Sequence, residues 1–283
     1  MILITTEGKV GSEAARLLTQ RDELVRTLVR DPEKATALRQ LGVDVAVGDL
    51  DDSASIDAAM QGVTSVVLVS PAVPAQELNV IGSAARAGVG HVVKITSKAS
   101  PDSPIARQRG QAEIEAGLIA SGLNYTLLRN NFYMQNFLML APTIAQTNSF
   151  GSSAGPGQVG LIDTRDVGAV AAEIAAAPAG HVGRTYLLTG PQLLSYADVA
   201  ATLSKVLGRP IGFHERTPEQ DAQEMIGAGV PAAIAEMNAH AVSLIAEGDA
   251  AWLSQDVRTI LGRSARSFEQ FATDYAAAFT PGG

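Results

Sequence analysis

The sequence predicts an α/β fold, a doubly wound parallel sheet with a smaller C-terminal part, and three observations predict it. Ile2 to Gly11 carries an apolar strand through a glycine turn into an amphipathic helix. Six strand-like stretches, the last over Tyr125 to Leu128, alternate with helix-like ones, which calls for parallel strands joined by crossover helices. The strands are near-continuously apolar, Ser65 to Val69 most clearly, the pattern of burial on both faces.

The elements follow in order. Val10, Ala14, Leu17 and Leu18 share one face of the first helix, and Glu23 to Val29 returns as the second strand. Asp31-Pro32 opens the second helix, an N-cap acid followed by proline at the first helical position. Val43 to Val47 is the third strand, Ser53 to Met60 a short helix, Ser65 to Val69 the fourth strand and Ala75 to Ala87 a helix. His91 to Thr96 is the fifth strand, Gln108 to Ala120 a helix and Tyr125 to Leu128 the sixth strand. Beyond Asn131 the alternation breaks into a Gly/Ser/Pro-rich loop from Gly151 to Gly157 and an apolar stretch from Val159 to Ile162. A helix over Thr164 to Ala177, a strand over Thr185 to Leu188, a helix over Tyr196 to Leu207 opened by Ser195, and a short strand near Ile211 to His214 complete the pattern.

With 283 residues, 46% of them hydrophobic, the chain can bury roughly three quarters of its unfolded surface without a metal or a disulfide. Lys and Arg number 21 against 29 Asp and Glu, a net charge of −8 with no dense basic run, so nucleic acid is not an expected partner. The absence of cysteine excludes thiolate nucleophiles, disulfides and cysteine-held clusters. No apolar stretch approaches 18 residues and no charged leader precedes the first strand. A soluble cytoplasmic protein with no membrane partner is expected.

Gly8 and Gly11 stand at the spacing of the last two glycines of G-x-x-G-x-x-G, and Thr5 replaces the first. Such a turn brings backbone N–H groups and a helix N-terminus against a pyrophosphate, so Thr5, Gly8, Lys9, Val10 and Gly11 are the expected cradle. Glu7 has the wrong sign: a carboxylate roughly 4 Å from a phosphate would cost about 4 kcal/mol at an effective dielectric near 20. Its side chain is expected to point outward.

Five segments taken together resemble the NmrA-like group of atypical short-chain dehydrogenase/reductases. They are Gly8-Lys9-Val10-Gly11, Leu28-Val29-Arg30-Asp31-Pro32, Gly48-Asp49-Leu50, Tyr125 to Asn136, and Ile162-Asp163-Thr164-Arg165-Asp166-Val167; Leu187 to Pro191 followed by Leu194-Ser195-Tyr196 adds to them. Leu128-Arg129-Asn130 with Tyr133 is most similar to the NAD(P)H:quinone oxidoreductase branch. The resemblance implies a Rossmann-type domain over residues 1–150 that binds NADP, or NAD. A later strand and helix near 158–190 would return to it, and 191–283 would form a smaller, mainly helical α/β substrate-binding part. A planar aromatic or quinone substrate is implied, with a homodimer and a partner oxygenase as further candidates.

The residues carry this reading unevenly. Arg30, ending the second strand where the adenosine ribose lies, can hold a 2′-phosphate bidentately; Asp31 is either a ribose ligand or a helix cap. Asp49, with Leu50, resembles an adenine-side contact or caps a turn. Ser70 and Pro71 follow the fourth strand and flank the nicotinamide side. Thr96, Ser97 and Lys98 end the fifth strand, where relatives place proton-handling groups, so Thr96 and Ser97, with Asn130 and Tyr133, are the catalytic candidates; Thr96 also counts as a cofactor contact. Asn131, Phe132 and Gln135 are the substrate-binding candidates, amides for a carbonyl beside an aromatic wall, or else a helix start with buried aromatics.

No tyrosine is followed by lysine at Tyr-x-x-x-Lys spacing. A ketone reduced to an alkoxide needs such an acid, whereas a reduced quinone is a phenolate of pKa about 10. Positioning of two rings then suffices. Gly151-Ser152-Ser153-Ala154-Gly155 matches G-x-S-x-G, but a nucleophile elbow needs a strand before it and a helix after it. The four histidines have no metal-ligand spacing, and Asp163 and Asp166 fit a helix cap better than acid–base work. Two functions from different classes follow: an NAD(P)H-dependent reductase of a quinone or aromatic polyketide, with oxygenation of the reduced ring as a coupled step, or a dinucleotide-binding redox sensor without turnover.

Overall fold

The computed structural model describes residues 1–71 and 73–281. In chain order the elements are β1 (Ile2–Ile4), α1 (Lys9–Thr19), β2 (Val25–Val29), α2 (Thr36–Gln40), β3 (Asp44–Val47), α3 (Ser53–Ala59), β4 (Ser65–Leu68), α4 (Pro74–Ala87), β5 (His91–Thr96), α5 (Ala106–Ala120) and β6 (Tyr125–Asn130). There follow α6 (Phe137–Thr147), β7 (Ser149–Ser152), β8 (Gln158–Val159), α7 (Thr164–Ala176), β9 (Arg184–Leu188), β10 (Leu194–Ser195), α8 (Tyr196–Leu207), β11 (Gly212–Glu215), α9 (Pro218–Gly227), α10 (Ala232–Ser243), α11 (Asp256–Leu261) and α12 (Phe268–Asp274).

The chain forms two compact units. The first comprises residues 1–130, 164–187 and 256–262, and its sheet runs β3-β2-β1-β4-β5-β6-β9. The strand pairs from β3 through β6 are parallel, with Ile2 opposite both Val25 and Ser65. Strand order reverses direction between β1 and β4, the switch point where a doubly wound sheet binds its ligand beyond the carboxyl ends of the strands. Leu3, Ile4, Val66, Val67, Leu68 and Val93 are fully buried, which is why these strands read as unbroken apolar runs. On one face α7 packs against α1, β4, β5 and β6; on the other, Ile56, Val80, Ile114 and Leu118 from α3, α4 and α5 close a second layer of core.

The second unit comprises residues 131–163, 188–255 and 263–283. Its core is aromatic: the Phe137 ring lies 5.1 Å from Tyr196 and 5.3 Å from Phe268, centroid to centroid. Two small sheets flank it, β8 antiparallel to β10 and β7 parallel to β11. Ser195 opens α8 with a full capping box to Asp198, as the position of the serine predicts.

The expected second helix is a 3₁₀ turn over Pro32–Ala35 followed by the short α2, with the Asp31 carboxylate accepting from the Glu33 amide at 3.0 Å. Part of the expected loop from Gly151 to Gly157 is strand: Gly151 and Ser152 belong to β7. A side chain at Gly151 would strike the Arg216 and His214 side chains, so Gly151 and Ser152, which resemble a loop, are strand residues pressed under their neighbours. Turn follows this strand, and the Ser153 amide donates to Asp221, so the helix that a nucleophile elbow needs is missing. The sixth strand runs two residues beyond Leu128, to Asn130.

Candidate functional site

The turn between β1 and α1 is built around Thr5. Its side chain is buried; Oγ1 donates to the Val69 carbonyl at 2.7 Å and accepts from the Val69 amide at 2.9 Å. Where a glycine is missing, a hydroxyl ties the first loop to the end of β4. Gly11 is required by close approach, because a Cβ there would strike the Thr6 carbonyl. Gly8 is different: it is exposed, its Cβ would meet nothing nearer than Thr6 Oγ1 at 3.8 Å, and its backbone is extended. The space in front of α1 is therefore open.

Gly8 is the N-cap residue of α1, with no side-chain cap and no acid in the first turn. The first-turn amides, with Lys9 exposed beside them, present donors and the positive end of the helix dipole, a combination suited to a pyrophosphate. Glu7 is half-buried and forms no ion pair among the described residues. Val10 is buried and anchors the helix rather than the turn.

At the end of β2, Arg30 is exposed and joins no ion pair among the described residues, so its guanidinium is available to an anion. Asp31 caps the following turn. Asp49 is built into a turn of its own: its carboxylate accepts from the Asp51 amide at 3.0 Å and its amide donates to Ser55 Oγ at 3.0 Å. Leu50 is buried, its carbonyl accepting from Asn79.

The ends of β4, β5 and β6 are joined by buried polar side chains. Ser70 Oγ donates to Glu77 Oε1 at 2.5 Å, and Glu77 Oε2 pairs with Lys94 Nζ at 2.6 Å, both charged groups fully buried. Burial pushes the Lys94 ammonium below its ordinary value, with Glu77 opposing the fall. Pro71 is exposed. Thr96 Oγ1 lies 3.0 Å from Gln111 Oε1 and 2.9 Å from Glu115 Oε1, and Glu115 in turn forms a two-pronged pair with Arg129. Asn130 Nδ2 donates to the Thr96 carbonyl at 2.9 Å. The Ser97 Oγ is buried and has no hydrogen-bond partner among the described residues. Lys98 is exposed.

In the second unit Asn131 Nδ2 donates to the Ala250 carbonyl, its Oδ1 accepts from the Phe132 amide, and Gln135 Nε2 donates to buried Asp163 at 2.8 Å. These amides brace the backbone. Phe132 and Tyr133 are half-buried, and Tyr133 bridges Ile162 in parallel fashion.

Lys94 and Glu77 are absent from the sequence-derived candidates. A lysine in the middle of the apolar strand His91-Val92-Val93-Lys94-Ile95-Thr96 was the available signal, since a buried ammonium needs a buried partner.

The NmrA-like family model matches residues 1–261. This chain belongs to the NmrA-like family. Two relatives span nearly all of it: the NAD(P)H azoreductase of Xenophilus azovorans, 38% identical over 99% of each chain, and the (4-alkanoyl-5-oxo-2,5-dihydrofuran-3-yl)methyl phosphate reductase of Streptomyces griseus, 36% identical over 99% of this chain and 100% of the relative. Among solved structures, the NADPH-dependent quinone oxidoreductase of Escherichia coli in complex with NADPH superimposes with a TM-score of 0.88 at 28% identity, covering 98% of this chain and 100% of that one. The open, uncapped start of α1 and the free guanidinium of Arg30 fit the same cofactor, and this NmrA-like chain is of the NADP(H)-binding type.

Proposed function

We propose that this NmrA-like protein is an NAD(P)H-dependent oxidoreductase that reduces a flat conjugated acceptor, a quinone or an azo compound, by hydride transfer. The observation that carries the proposal is the first turn of α1, uncapped, free of acids and faced by the open space at Gly8. The relatives that reduce azo compounds, a furanone phosphate and quinones support it. Bound NADPH supplies the hydride.

The chain's own part is binding and orientation. The amides of Lys9, Val10 and Gly11 hold the pyrophosphate, and Arg30 holds the 2′-phosphate. For a quinone, one hydride and one proton from solvent complete the hydroquinone. Ser97 Oγ, buried and unsatisfied at the carboxyl end of β5, donates its hydrogen bond to the product oxygen as phenolate charge develops. Thr96 and Asn130 act as positioning residues, since their polar groups are turned to Glu115, Gln111 and the β5 backbone. Phe132 and Tyr133 supply the rings on which a planar acceptor stacks, and Asn131 and Gln135 keep that segment in shape. A polyketide ring, oxygenation of the product and a partner oxygenase find no counterpart in these relatives and form no part of the proposal.

Purified protein mixed with NADPH and a panel of naphthoquinones, benzoquinones and azo dyes, followed at the nicotinamide absorbance band, tests it. Acceptor-dependent loss of absorbance is expected. Tight NADPH binding with no oxidation by any acceptor would leave the redox-sensor function in its place.

A further inference from the structure

We propose that Trp252 is a specificity-determining residue for the acceptor, its indole stacking on the substrate and favouring fused two-ring quinones over single-ring ones. Its basis is the reductase reading above, to which it adds a further contact residue and a preferred size of substrate.

Most of the aromatic rings of the second unit are used on one another. Phe137, Phe150, Tyr196 and Phe268 join ring pairs with centroids 5.1–6.4 Å apart. Trp252 and Phe132 are different: both are half-buried, and neither joins a ring pair among the described residues. Phe132 packs against the rim of the apolar core, whereas Trp252 is neither in that core nor packed against it. The indole N–H has no hydrogen-bond partner among the described residues, although a tryptophan buried for structure normally satisfies it. The fold itself makes little use of this ring.

The backbone beneath the indole is nonetheless fixed. The Ala250 carbonyl accepts from Asn131 Nδ2 at 3.0 Å, from the Trp252 amide at 2.9 Å and from the Gly160 amide at 3.3 Å. A Cβ at Gly160 would strike the Trp252 carbonyl, so glycine is what lets the loop lie this close. On the other side of Trp252 the Ser254 amide donates to the buried Thr189 hydroxyl at 3.1 Å. The same segment carries Phe132. Its carbonyl accepts from the Ile162 amide at 2.9 Å, and its chain neighbour Asn131 holds Ala250. Trp252 and Phe132 are thus strung on one short segment, residues 160–162. Leu253, beside Trp252, is 44% exposed, so the clamped loop displays apolar side chains.

A ring whose backbone is already ordered loses little freedom when a flat ligand stacks on it. Two such rings on one segment suit a flat conjugated acceptor. An indole is itself a fused two-ring system, so a naphthoquinone covers it where a benzoquinone covers only part.

The chain contains one tryptophan, so indole fluorescence reports on Trp252 alone. Protein saturated with NADP+, which has no hydride to transfer, is titrated with naphthoquinone and with benzoquinone. Saturable quenching with one-to-one stoichiometry is expected, tighter for naphthoquinone. In turnover with NADPH, Trp252→Leu should raise the KM for naphthoquinone about tenfold and that for benzoquinone about twofold, the loss of one stacked ring, with kcat shifted less than either. Trp252→Phe should lie between. The Kd for NADPH by calorimetry and the thermal midpoint should match wild type in both variants, which separates a substrate contact from a cofactor or structural role. Quenching that grows without saturation, equal KM shifts for the two quinones, or a wild-type KM for naphthoquinone in Trp252→Leu overturns the inference. Failure of the reductase reading is separately visible, because wild-type protein would then bind NADPH and oxidise it with no acceptor, and the inference falls with it.

Discussion

The amino end and the carboxyl half of β5 hold buried polar groups of opposite kind. Toward the carboxyl end stands the Lys94–Glu77 ion pair, linked to the residues that follow β4. At the amino end, His91 Nε2 lies 2.9 Å from Thr126 Oγ1, Thr126 gives its proton to the His181 carbonyl at 2.7 Å, and His181 Nδ1 lies 2.8 Å from the Tyr186 hydroxyl. Because the Thr126 proton is taken, His91 must donate from Nε2, and its Nδ1 carries a lone pair with no partner among the described residues. Burial, with a smaller contribution from His181, pushes His91 down to about 4. One strand thus carries a buried ion pair toward its carboxyl end and a chain of neutral hydrogen-bonded groups at its amino end.

Several measurements can break this contrast. The largest effect is expected from Lys94→Met alone, which leaves Glu77 as an uncompensated buried charge and should cost about 3–5 kcal/mol in denaturant unfolding, with most of the loss relieved when Glu77→Met is added. Next is the pH response of the far end. The folded pKa of His91, about 4, lies below its ordinary 6.5, so the unfolded chain binds the extra proton. Stability is complete above pH 6.5 and falls as pH drops toward 4, by up to about 3 kcal/mol. His91→Leu should flatten that slope in unfolding curves between pH 4 and 6.5.

The comparison is sharpened by two smaller effects at the ligand edge. Arg30→Ala should weaken NADPH by about 2 kcal/mol, roughly thirtyfold, and leave NADH nearly unchanged; equal losses for both cofactors would refute the 2′-phosphate role. Thr5→Val removes two hydrogen bonds to Val69 while keeping the side chain's shape, and should cost about 1–2 kcal/mol of stability in the thermal transition.

Much of the first unit is legible because its signals are local. The bounds of β5 follow from six consecutive residues, and Ser195 with Asp198 announces the start of α8. The features that escape prediction depend on partners distant in sequence. Lys94 marks itself as anomalous in an apolar strand, yet nothing nearby says that Glu77, on another element, will meet it. Gly151 and Ser152 are poor strand formers, and their place in β7 depends on β11, which comes after α8. The change of unit between Asn130 and Asn131 interrupts a motif that looks continuous, and for Thr96 and Asn131 residue type points to a ligand where folded geometry shows bracing. Ser97 directly follows β5, and its buried Oγ has no hydrogen-bond partner among the described residues.

The route of the chain has a consequence for its synthesis. A nascent polypeptide that has emerged as far as Asn130 already carries six strands of the first unit's sheet, but α7, the helix that packs on β4, β5 and β6, is encoded only from Thr164, after an excursion into the second unit. At roughly 5–20 residues per second of translation, one flank of apolar sheet stays bare for on the order of seconds. During that interval the growing chain is a natural client for a ribosome-associated chaperone, and a fragment ending at Asn130, short of α7, would keep the same uncovered flank for good.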